Sequence, residues 1–195
     1  MGWFNRKSEE RQRRLEATER EDEALAKAKA ADPNSQRKTE FHNASVRGDL
    51  DRASSLLDDY LTEYEVDPGP TEYDRGRPSL LERAAQARRA TKLGDLDEAA
   101  SILAAWEIKP PPTSTTGPER FAQLPNLNTL GMLLIDFFSL PGAESNSQYD
   151  LLLDTKLRQV AQWTRLSSPQ PRPGGFFDQA YGQFKSKREL SRARS

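Results

Sequence analysis

Few residues in this chain have the type and spacing that catalysis needs. His42 is the single histidine, and general base catalysis near neutral pH most often uses that side chain. It stands beside Phe41 at or near a helix start, where local packing or hydrogen bonding accounts for it without a catalytic or metal role. There is no cysteine, which removes disulfides, thiolate zinc sites, iron–sulfur clusters and thiol nucleophiles together. Phosphate loops, nucleophile elbows, His-Glu-x-x-His pairs and Gly-x-Gly-x-x-Gly turns are absent. Asp49/Asp51 and Asp95/Asp97 are paired carboxylates, but a calcium loop needs a third ligand, a central Gly and a terminal Glu. Helix capping explains them more simply. Asp136, inside Leu133-Leu134-Ile135-Asp136-Phe137-Phe138, would have a raised pKa if buried. Helical phasing turns it away from the Leu130, Leu133, Leu134, Phe137 face, toward solvent. The chain therefore reads as a non-enzyme with no catalytic, cofactor-binding or metal-binding residues.

Binding chemistry is easier to find. Phe177, Tyr181 and Phe184 fall at i, i+4 and i+7, the pattern by which an amphipathic helix enters a groove. Tyr60 and Trp106 join them as candidate partner-binding aromatics. Lys185, Lys187, Arg188, Arg192 and Arg194 crowd the C-terminus and have the charge to neutralise phosphates. Such a short basic end without a reading module makes nucleic acid the weaker alternative. Trp3, Phe4, Arg6 and Lys7 bury too little apolar area to hold a membrane surface.

The elements that position these residues are helical. Counting gives 23 Leu and 21 Ala against 3 Ile and 3 Val, a composition that favours helices over strands. From Ser8 to Ala31 oppositely charged residues recur four apart, as in Glu9/Arg13, Glu10/Arg14 and Glu16/Arg20, which predicts an exposed charged helix. Asp32-Pro33 ends it and a new helix starts near Ser35. Proline and glycine break the chain again at 66–78 and at 110–118. Further on, Leu127, Leu130, Leu133, Leu134, Phe137 and Phe138 keep helical spacing, and so do Tyr149, Leu152, Leu153, Lys156, Leu157, Val160 and Trp163. A turn at Pro141-Gly142 joins these two helices. A Pro/Gly stretch from Ser167 to Gly175 releases the last segment.

An internal repeat organises the centre. Gly48-Asp49-Leu50-Asp51-Arg52-Ala53 through Tyr60 matches Gly94-Asp95-Leu96-Asp97-Glu98-Ala99 through Trp106, with seven of thirteen positions identical and the copies 46 residues apart. Gly48 and Gly94 suit the left-handed conformation that closes a helix, and Asp49 and Asp95 suit the cap of the next. Leu50, Ala53, Leu56, Leu57 and Tyr60 share one helical face, as do Leu96, Ala99, Leu103 and Trp106. Each copy is thus an antiparallel helical hairpin, with Ala53 and Ala99 letting the helices approach closely.

The Gly-Asp-Leu-Asp-x-Ala stretch followed by a Leu pair resembles the second-helix signature of tetratricopeptide-type repeats, and Pro111 stands where such repeats often place a closing proline. The first copy also resembles an ankyrin repeat, through Phe41-His42-x-Ala44 and Leu56-Leu57. The spacing is longer than either family's, and the likeness covers residues 36–112. It implies helical-hairpin stacking and, by analogy, a surface that binds a protein or peptide.

The neutral total of 29 basic and 30 acidic residues hides unlike parts. Residues 41–110 hold 9 basic against 14 acidic side chains, and 172–195 hold 6 against 2. The organisation expected is a charged arm (1–34), an all-α domain of stacked hairpins forming a short α-solenoid or irregular bundle (35–166), and a linker with a basic aromatic tail (167–195). The function expected is a cytoplasmic, non-enzymatic adaptor that holds another protein. The alternative is a small structural subunit of a virion or nucleoprotein particle whose ends order on assembly. No apolar run approaches the length of a membrane span.

Overall fold

The structure, a computed structural model, describes residues 33–66, 79–110, 122–167 and 175–193. The expected helix over 8–31 and most of the two expected breaks lie outside them. Two units are distinguished, Met1–Thr39 and Glu40–Ser195. Of the first, residues 33–39 are described. They open helix α1 (Pro33–Arg47), where the Thr39 hydroxyl donates to the Ser35 carbonyl at 3.0 Å.

Every regular element among the described residues is a helix, and no strand occurs among them. After α1 come α2 (Leu50–Val66), α3 (Leu80–Leu93), α4 (Leu96–Ala104) and α5 (Leu124–Ser139). A short 3₁₀ turn at Ala143–Ser145 leads into α6, built without a break from Tyr149–Leu151, a π-helical Leu152–Leu157 and Arg158–Ser167. Helix α7 (Phe176–Arg192) closes the chain.

The two copies of the repeat fold through the same turn. Gly48 and Gly94 take φ of 72° and 73°, a conformation that costs glycine little and other residues more. The amides of Gly48 and Asp49 donate to Ser45 and Ala44 carbonyls, and those of Gly94 and Asp95 to Thr91 and Ala90. That is the Schellman pattern of a helix end. Asp49 then accepts from the Arg52 amide at 3.1 Å and Asp95 from the Glu98 amide at 3.0 Å, capping α2 and α4. Ala53 and Ala99 are fully buried. The copies diverge afterwards, because α2 runs on to Val66 while α4 stops at Ala104. Trp106 therefore lies beyond the helix on whose face the spacing set it, and is buried nonetheless. Lys156 Nζ donates to its carbonyl at 2.7 Å, occupying the acceptor that a further helical turn would use.

Around α5 the packing is dense. It touches α3, α4, α6 and α7, and α3 in turn packs on α2 and α4. Leu127, Leu130, Leu133, Leu134, Phe137 and Phe138 of α5 are all buried, and with Leu57, Leu81, Leu103, Trp106 and Tyr149 they form one continuous core. The α5–α6 pair is the third hairpin, and its turn is held by Asn146, whose Nδ2 donates to the Leu96 carbonyl and to Asp97.

Candidate functional site

Each residue singled out by sequence has a definite place. Phe177 is buried against α5, where Gly131 leaves room for its ring; a Cβ on Gly131 would overlap that ring. Phe184 lies 5.2 Å from Phe138, centroid to centroid, and the Tyr181 hydroxyl donates to Asp154 at 3.1 Å. Tyr60 and Trp106 are buried in the core. The Trp106 indole N–H donates to Asn126 Oδ1 at 2.7 Å, and the Arg83 guanidinium sits 5.3 Å from the ring centroid. These five aromatics are thus spent on the chain's own packing. For the three on α7 the reason is area: α5 and α6 leave an apolar seam that α7 can cover at once, and covering it removes much of their ring surface from water.

Of the basic residues near the C-terminus, those described are engaged within the fold. Arg188 forms a two-pronged bond with Asp150 at 3.0 and 3.1 Å, donates to the Glu144 carbonyl at 2.8 Å and lies over the Tyr149 ring. Arg192 reaches Asp150 at 2.6 Å, Lys187 approaches Glu144 at 3.8 Å, and Lys185 lies over the Tyr181 ring. Hydrogen bonding from Arg188 holds the Asp150 carboxyl below the ordinary aspartate range. Arg194 lies outside the described residues.

His42 is exposed on α1. Asp49 and Asp95 are the caps described above, and among the described residues no three His, Asp or Glu side chains converge as metal ligands would. Asp136 keeps part of its expected exposure, with its side chain 37% exposed, but it is not free: α3 lies alongside that side of α5, and Arg88 donates to Asp136 at 2.9 Å. Arg88 also reaches Ser54 at 3.1 Å and Asp58 at 3.4 Å, while Lys92 holds Asp58 at 2.9 Å. Burial pushes the Asp136 carboxyl above its ordinary pKa against the pull of Arg88. This polar cluster ties α2, α3 and α5 together.

The feature best suited to binding is one that sequence reasoning passed over. A groove of about 640 Å³ opens where the ends of α1 and α6 meet the starts of α2, α5 and α7. Its apolar lining is Val46, Leu50, Leu124, Ala161, Phe176 and Phe177, and Val46 and Phe176 remain 36% and 58% exposed. That exposure singles out this mouth, since stray exposed apolar residues are common but clustered ones are informative. Its polar lining includes Arg47, Asn128, Thr164, Arg165 and Asp178. Asn128 Nδ2 donates to the Ser45 carbonyl and is committed. The Thr164 hydroxyl is buried without a partner. Two signals pointed here in principle: Phe176 breaks the i, i+4 phase of the tail aromatics, and Gly131 in the interior of an apolar helix implies that something packs against it.

Comparison of the chain with protein families, curated proteins and solved structures found no match.

Proposed function

We propose that the chain is a non-enzymatic adaptor or assembly component of the cytoplasm, and that it holds another protein through the groove between α1, α6 and α7. The observation that carries this reading is the groove itself: an apolar floor, exposed Val46 and Phe176 at its mouth, and flanking arginines. Exposed apolar side chains clustered beside polar residues mark surfaces that meet other proteins. Stacked helical hairpins, and the tetratricopeptide-type resemblance of residues 36–112, add support by analogy. The engagement of Lys185, Lys187, Arg188 and Arg192 within the fold weakens the nucleic-acid alternative. Affinity purification with crosslinking and mass spectrometry tests the reading. Crosslinks from a recovered protein should map beside Val46 and Phe176 and disappear in a V46D/F176D chain. Crosslinks that all map elsewhere, or that persist in the variant, overturn it.

A further inference from the structure

Among the described residues, most cations that lie near acids are paired with them. Arg52 holds Glu40, Arg88 holds Asp58 and Asp136, Lys92 holds Asp58, and Arg188 and Arg192 hold Asp150. Arg47 and Arg165 differ, for both line the groove and neither takes an acid partner, although Asp178 lines it too. Each sits in the last turn of its helix, where a cation is favoured by the backbone dipole. That placement explains their presence on the chain but leaves their hydrogen-bonding capacity unused. Asp178 belongs to the first turn of α7, the end of a helix that suits an acid. The groove therefore presents two free guanidinium groups against one carboxylate, beside an apolar floor.

We infer that the groove receives a short acidic amphipathic helix of a partner protein, with two or three apolar side chains on the floor and carboxylates on Arg47 and Arg165. This rests on the adaptor reading above and names the chemistry of its partner. The groove offers Leu50, Leu124 and Ala161 on its floor and Val46 and Phe176 at its mouth to apolar anchors, as helix-in-groove recognition requires. Arg–carboxylate pairs add geometric specificity because the planar guanidinium can donate two parallel bonds. A basic helix meets two like charges and is disfavoured.

The test uses the full chain and a fluorescein-labelled helix-forming peptide of roughly twelve residues, with leucines at i, i+3, i+4 and i+7 and glutamates elsewhere. Anisotropy should report binding that weakens about tenfold or more in an R47E/R165E chain and falls as salt is raised. A matching peptide with lysine for glutamate should bind the parent chain poorly and the R47E/R165E chain better, a reversal that misfolding cannot produce. V46D/F176D, at two exposed positions, should lose the glutamate peptide while keeping its melting transition. Equal binding of the glutamate and lysine peptides to the parent chain overturns the proposal, as does unchanged binding in R47E/R165E or none at about 1 mM peptide. Two further results overturn it by naming another occupant. One is a tenfold gain in peptide binding when residues 168–174 are replaced by Gly/Ser, which assigns the groove to the chain's own linker. The other is self-association abolished by R47E/R165E, which assigns it to a second copy. If the peptide fails while crosslinks still map to Val46 and Phe176, the acidic helix is wrong and the adaptor reading stands.

Discussion

The contact between Gly131 and Phe177 shows how much one hydrogen atom decides. Glycine within a helix costs about 1 kcal/mol relative to alanine, and α5 bears that cost because the Phe177 ring occupies the place of a Cβ. Gly131→Ala should therefore destabilise the fold, with overpacking of about 1–3 kcal/mol outweighing the gain in helix propensity. Chemical denaturation should show this, and Phe177→Leu in the same chain should recover part of the loss. If Gly131→Ala is stabilising alone, the close packing is not as described. Arg88 makes a second residue-scale prediction. Because burial raises the Asp136 pKa and Arg88 lowers it, Arg88→Ala should move the carboxyl titration further upward, which NMR can follow. The sign for stability follows from the raised value. What Asp136 contributes is present below its unfolded pKa and is lost as pH rises through the folded one. Helical phasing turned Asp136 toward solvent, where it stays 37% exposed, but phasing describes one helix, and it was α3 that supplied the cation.

At the scale of elements, α7 is fastened at both ends by different forces. Phe177 and Phe184 bury apolar area near its start and middle, while Arg188 and Arg192 meet Asp150 near its end. The Asp150 pKa is lowered, so its contribution is present above the unfolded aspartate value and lost as pH falls through the folded one. Asp150 is 41% exposed, and solvent screening keeps the contribution under about 1 kcal/mol. Amide protection in the last two turns of α7, taken relative to the intrinsic exchange rate, should therefore fall below the ordinary aspartate range, and Asp150→Asn should show the same fall at neutral pH. Exchange that ignores both changes would place the fastening of α7 wholly in its aromatics. The aromatic spacing of α7 was legible from the sequence, but its destination was not. The i, i+4, i+7 pattern describes a helix that docks, and a partner and the chain's own α5–α6 seam satisfy it equally.

For the molecule as a whole, α7 belongs to the folded unit, although the Pro/Gly stretch before it suggested a separable tail. A chain ended at 166 should melt lower than one ended at 193, bind a hydrophobic dye and self-associate, because the α5–α6 seam would be bare. Equal melting of the two would show α7 to be dispensable. Gly48-Asp49 and Gly94-Asp95 were readable as turns because backbone conformation and capping act over a handful of neighbouring residues. The Leu/Ala-rich, cysteine-free composition excluded sheets and thiol chemistry for a similar reason, since propensity and side-chain inventory belong to residues one at a time. Sequence alone thus determined an all-α chain of hairpins. Tertiary structure decided which side chains were spent and which stayed available. It buried Trp106 beyond its helix, paired Arg188 with Asp150, and left Arg47 and Arg165 without acids beside an apolar groove. Those outcomes depend on which helices meet, and the meeting of α1, α6 and α7 joins residues more than a hundred positions apart, beyond the reach of any local pattern.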